Sequence, residues 1–329
     1  MRQLVLLVSG FILNVQGGHA GEVPAGLLGD WSLELSSKEP SWLRIVDDEQ
    51  NGPLVYLRIF VGPKGPFKVT KIEDGEVHFL RLSKKNTKAG RVSVETKVQV
   101  GLIDGQLSGK ILRPSAQGIQ TVTFTGEKIP MMPKDAPDLS KVKFGEAISL
   151  FNGKNLDGWR PNEFDKINGW SVEGGLLVNK TTKTDFSATG DHANLRTVAE
   201  FTDFKLYAEF LIEENRNSGI YLRGMYEAQV VDRDSRMQGK IGPGSIFGEI
   251  LPTRNAGKAG GQWQSYELTL VDRHVTVVLN GITVIDNHAI DQPTAGAIVT
   301  HPMKPGPIYL QGDHTAVKYR NIYLSPVVK

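Results

Sequence analysis

A phenol, a cation, a carboxylate and an amide recur at even spacing in one short stretch of this chain: Tyr221, Arg223, Glu227 and Gln229, within NRNSGIYLRGMYEAQVVD. Residues two apart in an extended backbone point to one side, so these four would share a face of a strand. Ile220, Leu222, Tyr226, Ala228 and Val230 would share the other face and anchor it in a core. The same row also suits the solvated side of a half-buried strand. A tight hairpin at Gly224-Met225 would break the parity but leave Arg223 and Glu227 near neighbours.

The elements that must position this row are β-strands. A chain of 329 residues fits about two domains. Its 40% hydrophobic and 22% charged content is that of a globular protein with buried cores. The net charge is +2 with no long basic run, so neither nucleic acid nor an anionic membrane is indicated as a partner. Cysteine is absent, which excludes disulfides, thiolate nucleophiles and zinc–thiolate sites.

Arg2 precedes an apolar run over residues 4–15 and small residues up to Ala20, the order of a secretory signal peptide over residues 1–20. That run is too short for a membrane span. The expected location is therefore outside the cytoplasm, periplasmic or extracellular.

Residues 22–128 alternate apolar and polar residues in short segments, separated by the turn dipeptides Asn51-Gly52, Asp74-Gly75 and Asp104-Gly105. An antiparallel β-barrel or small sandwich closes such a pattern with few bare edges. It carries no evident catalytic constellation and reads as an accessory domain. Residues 129–143, with Pro130, Pro133 and Pro137, read as a semi-rigid linker.

From residue 144 onward the pattern is again all β. Asn280-Gly281 marks a hairpin, and VKYRNIYL is a last strand expected to pair with AISLFNG. No amphipathic helix interrupts, so a two-sheet antiparallel jelly-roll sandwich fits better than a parallel α/β sheet. Residues 233–262 break the pattern as a long Gly- and Pro-rich connection. Loops of this length in compact domains are commonly functional, so it is expected to lie over the polar strand.

FNGKNLDGW, WSVEGGLL, TDFKLYAEF, NSGIYLRG, YEAQVVD, GGQWQSYEL, VVLNGITVID and GPIYLQGDH occur in this order over residues 146–326. Together they resemble the 3-keto-disaccharide hydrolase domain family. The resemblance implies a concanavalin A-like jelly roll in an exported bacterial protein that acts on glycosides oxidised to a ketone at sugar carbon 3. The chain departs from the family at Gln262 and Gln264, which flank Trp263 where Glu and Asn are usual.

On such a substrate the ketone acidifies the proton on carbon 2, and the resulting enolate expels the oxygen on carbon 1. Water then adds to the enone. The site needs a base, an electrophile at the carbonyl oxygen and a proton donor, not the carboxylate pair of an ordinary glycosidase. The residues expected to carry this are His314, Glu227 and Arg223. His314 would be the base, since an imidazole ordinarily titrates near ~6.5, and Asp313 beside it would orient the ring or serve as a ligand. A divalent ion (Ca, Mg or Mn) held by Glu227, Asp232 and His314 would polarise the ketone, or Arg223 would do so directly. Tyr221 and Trp263 would stack on the sugar, with Gln229, Asn217 and Glu209 as further substrate-binding residues. His192 and His301 read as solvent-facing loop residues. A non-catalytic carbohydrate-binding module on a lectin-like sandwich is the alternative reading, because fold alone does not give function.

Overall fold

The structure, a computed structural model, describes residues 22–87, 90–115, 117–181 and 190–328. Residues 1–20, expected to be a signal peptide, lie outside the described residues.

Eight strands form the first unit: β1 (Gly29–Leu35), β2 (Ser41–Asp48), β3 (Gly52–Ile59), β4 (Phe67–Glu73), β5 (Glu76–Thr87), β6 (Gly90–Ile103), β7 (Gln106–Ser115) and β8 (Gly118–Ile129). Each pairs antiparallel with its successor, and β8 pairs back onto β1, giving a closed up-and-down barrel. Asp74-Gly75 and Asp104-Gly105 turn with φ of 50° and 79° at each pair, the left-handed values that match the twist of a two-residue hairpin. Asn51 does not turn this way. Asp48 pairs with Gly52 around a three-residue loop, where Asp48 Oδ1 accepts hydrogen bonds from the backbone of Gln50 and Asn51. Leu33, Leu43, Val55, Leu57, Phe79, Val98 and their neighbours fill the interior.

The second unit contains β9 (Lys143–Phe144), β10 (Ile148–Ser149), β11 (Trp159–Pro161), β12 (Trp170–Glu173), β13 (Leu176–Asn179), β14 (Leu195–Thr197), β15 (Phe204–Leu211), β16 (Ser218–Leu222), β17 (Tyr226–Val230), β18 (Trp263–Val271), β19 (His274–Leu279), β20 (Ile282–Ala289), β21 (Tyr309–Leu310) and β22 (Val317–Val328). A nine-stranded sheet runs β12-β13-β22-β15-β18-β19-β20, with β9 and β10 also on β22. A five-stranded sheet runs β11-β14-β21-β16-β17. Ile148 pairs with Leu324 and Ser149 with Tyr323, so the two ends of the sandwich meet as the sequence suggested. The sheets enclose one apolar core, including Phe210 and Tyr266 stacked at 5.2 Å between ring centroids.

This is an all-β protein: a jelly-roll sandwich carrying a smaller antiparallel barrel. No described helix is long and apolar enough to cross a membrane.

The two units meet over a polar interface. Arg58 of the barrel donates to Glu249 Oε1 at 2.9 Å, and Lys64 Nζ lies 2.5 Å from Glu249 Oε2. Arg44 bridges Asp30 and Asp291. His301 is buried against Glu127, not solvent-facing, and burial lowers its pKa. His192 is buried as well. The linker is tied to the sandwich, since Arg273 donates to the Pro130 carbonyl and Asn287 to that of Pro137.

Candidate active site

The working surface is the outer face of the five-stranded sheet, away from the sandwich core. β16 and β17 form a hairpin in which Tyr221 stands opposite Glu227 and Gly219 opposite Gln229. Its loop, Arg223 to Met225, has three residues. An odd loop preserves parity across the turn, so Tyr221, Glu227 and Gln229 do share a face, while Ile220, Leu222, Tyr226 and Ala228 enter the core.

Arg223 does not join them. It sits at the turn itself, with φ of 57°, and its guanidinium is buried against Asp203 and the carbonyls of Thr202 and Pro302. Its side chain lines a separate hollow beside the linker, with Met131 and Arg273.

The cavity on this face has a volume of about 560 Å³ and is lined by Asn194, Asn217, Tyr221, Glu227, Tyr309, Gln311, Asp313 and His314 from the sheet and the loop before β22. Three local arrangements build it. Asn217 N donates to Thr315 Oγ1 and Thr315 Oγ1 to the Asn217 carbonyl, at 2.8 and 2.9 Å. Ser218 Oγ donates to the Gln311 carbonyl, so residues 311–315 are zipped to the start of β16. Asn194 Oδ1 accepts from the backbone of Gly312 and Asp313, which holds the turn that presents His314. Finally, Gly219 leaves room for the carboxyl of Glu227: a β-carbon there would lie 2.3 Å from Glu227 Oε1.

His314 Nδ1 lies 2.8 Å from Asp313 Oδ1. With the proton on Nδ1 and donated to the carboxylate, Nε2 is left as a proton acceptor. Glu227 has a different environment. Burial pushes its carboxyl up to about 8; the Tyr221 hydroxyl opposes the rise and the like charge of Asp313 adds to it. Tyr221 Oη lies 2.9 Å from both Glu227 Oε2 and the Ala295 carbonyl. One hydroxyl proton cannot serve two acceptors, so both bonds form when Glu227 carries the proton. Two carboxyls in one cavity thus have different settings, Asp313 against the His314 imidazole and Glu227 against the Tyr221 phenol. Asn217 Oδ1 and Gln311 Oε1 are buried with no protein partner, which suits them to accept from the hydroxyls of a ligand.

Other expected site residues fall elsewhere. Gln229 is on the right face, but residues 233–262 lie over it: its Nε2 donates to the Ile241 carbonyl and approaches Met237 Sδ. Asp232 spends both carboxylate oxygens on the backbone N–H groups of Asn215 and Asp234, closing the loop into β16. It does not line the cavity, so the predicted metal set of Glu227, Asp232 and His314 does not assemble. Among the described residues no three His, Asp or Glu side chains gather as ligands of one ion.

Trp263 and Glu209 occupy the outer face of the opposite, nine-stranded sheet. There Arg320 lies over the Trp263 ring at 3.9 Å and donates to Glu209. Strand periodicity could not separate the two sheets, because both alternate in the same way.

The cavity also has residues the sequence did not signal. Tyr309 packs edge-on against Tyr221, with ring centroids 4.7 Å apart. Phe247 comes from the long connection, whose backbone pairs with the edge of β17. Phe60, Val61 and Lys84 come from the barrel, which therefore walls the site and is not merely accessory to it.

The fold and site are those of a jelly-roll sandwich with an imidazole, carboxyls and unpartnered amide oxygens in one cavity. The model of the 3-keto-alpha-glucoside-1,2-lyase-like domain matches residues 146–325, more than half of the chain, and the chain belongs to this family. No curated protein matches the chain in sequence. Among solved structures it is similar to two proteins of Parabacteroides distasonis described as candidate glycosyl hydrolases. One is 26% identical, covering 59% of this chain and 93% of its own with a TM-score of 0.42. The other is 19% identical, covering 55% and 94% with a TM-score of 0.45. A carbohydrate-binding module of Bacillus subtilis is 13% identical, covering 51% and 95% with a TM-score of 0.34.

Proposed function

We propose that this protein cleaves 3-keto-glycosides by β-elimination, with His314 as base and Glu227 as proton donor. The observation that carries the reading is an imidazole oriented by Asp313 and the buried carboxyl of Glu227 lining a single cavity. Nε2 of His314 takes the proton from carbon 2, and its bonding pair becomes the enolate of the carbon-3 ketone. As the ketone re-forms, the pair moves into a carbon 1–carbon 2 double bond and the carbon 1–oxygen bond breaks. Glu227 delivers its proton to the departing oxygen; water then adds at carbon 1, giving a proton to Glu227 while His314 returns its proton to carbon 2, which completes net hydrolysis and restores both groups. Asn217 and Gln311 accept from ring hydroxyls and hold the sugar in place.

Purified protein incubated with a 3-keto-glycoside and with its unoxidised parent separates this reading from simple binding. Enone absorbance should appear with the ketone alone. His314→Ala should abolish it while sugar binding, measured by calorimetry, is retained. Unchanged turnover in that variant removes His314 as the base. An arm with chelator tests the metal expectation: a loss restored by a divalent ion would assign polarisation of the ketone to a bound ion, and an unaltered rate would argue against one.

Residues 1–20 support export, as their order of Arg2, apolar run and small residues is that of a cleaved leader. Amino-terminal sequencing of the protein from an expressing cell should read from Gly21, and a retained Met1 would oppose export by this route.

A further inference from the structure

We propose that the barrel builds the aglycone side of the cavity and that the group it accepts is a flat apolar one, an aryl substituent in preference to a second sugar. The inference rests on the glycoside-cleaving reading above. The amide, carboxyl, phenol and imidazole groups that suit a pyranose come from the sandwich, whereas the barrel contributes Phe60, Val61 and the exposed Lys84, joined by Phe247 of the long connection. Against Phe60, Val61 and Phe247 a second sugar would present its hydroxyls to side chains that cannot pair with them, with Lys84 the one polar side chain on that wall, and unmatched polar groups oppose binding. An aromatic ring has no such requirement and gains from contact with Phe side chains.

The wall is fixed in place. Phe60 holds a φ of 44°, a conformation that a bulky residue adopts only when its surroundings impose it. Its N–H donates to the Pro40 carbonyl at 2.9 Å, and its own carbonyl accepts from Gly296 N at 3.1 Å. Gly296 packs directly on the Tyr221 hydroxyl, where a β-carbon would come within 2.5 Å. Phe60 is therefore positioned through a single residue from the Tyr221–Glu227 pair. Arg58 before it and Lys64 after it both bind Glu249, two residues beyond Phe247, so one carboxylate ties both apolar pieces together. Lys84 stands exposed at the rim.

The test uses the full chain and two 3-keto-α-glucosides, one of 4-nitrophenol and one of glucose. Phe60→Ser should lower kcat/KM for the aryl substrate about tenfold, with the disaccharide changed less than twofold. Comparing each variant with wild type cancels the intrinsic difference between the leaving groups. Val61→Ser, at an exposed position, should move the ratio the same way and serves if Phe60→Ser does not fold. Equal losses on both substrates, or no loss on either, overturn the proposal. Should wild-type protein turn over neither substrate, the catalytic reading falls separately. Calorimetry with 4-nitrophenyl α-glucoside and maltose then decides: tighter aryl binding that Phe60→Ser erases supports the wall, and equal binding of the two refutes it.

Discussion

Tyr221 and Glu227 face each other across the β16–β17 hairpin, with the phenol oxygen 2.9 Å from Glu227 Oε2. Because the same phenol also meets the Ala295 carbonyl, the pair is a proton-holding device and not an ion pair. Its consequences can be measured separately from catalysis.

Glu227 should make the protein less stable as pH rises. The folded-state value of about 8 lies above the ordinary 4.5. Between these values the folded protein keeps a proton that the unfolded chain releases. Stability is thus full below about 4.5 and is lost as pH approaches 8, by on the order of a few kcal/mol. Urea unfolding of wild type and Glu227→Gln across this range should show the variant gaining relative stability with pH. Parallel curves would mean that Glu227 titrates normally. In activity, Glu227→Gln should fall roughly 100-fold or more, and the wild-type rate should decline above about pH 8.

Tyr221→Phe removes a buried hydroxyl and leaves the Ala295 carbonyl without that partner. A cost of about 1–3 kcal/mol is expected, read by denaturant midpoint at pH 6, where Glu227 is neutral. A cost near zero would show that another group takes over the carbonyl.

Asp313→Asn should keep the fold but release the imidazole from its single orientation. The turnover number is expected to drop roughly 100-fold with KM changed far less. An equal change in both parameters would make Asp313 a binding residue instead of a positioning one.

Glu249→Ala strands Arg58, a buried guanidinium whose pKa burial already lowers. Loss of a buried partner costs about 3–5 kcal/mol, so the melting temperature should fall. KM should rise as well, because the wall formed by Phe60 and Phe247 loses its tie. A lower melting temperature with unaltered KM would separate the interface from the site.

Trp263→Ala is the opposite case. The ring is covered by Arg320 on the far sheet, so turnover should stay within about twofold, as for surface substitutions remote from a site. A large loss would relocate the sugar platform to the nine-stranded sheet.

Much of this protein is written in local pattern. Alternating residues and the dipeptides Asp74-Gly75, Asp104-Gly105 and Asn280-Gly281 specify strands and two-residue hairpins, because side-chain period and turn torsions are properties of neighbouring residues. The shared face of Tyr221, Glu227 and Gln229 follows from that period, and His314 was identifiable from its residue type and its neighbour Asp313. Which sheet a strand joins is not local. Trp263 and Glu209 alternate as correctly as Tyr221 does, yet their faces look away from the cavity. Arg223 was lost to Asp203 and the carbonyls of Thr202 and Pro302, and Asp232 to the N–H groups of Asn215 and Asp234, partners that are mostly distant in the chain. Phe60 and Glu227 are far apart in the chain, and only the docking of barrel on sandwich, through Glu249, makes them walls of one site. That docking depends on shape and charge matched across two separately closed cores, which no window of sequence contains.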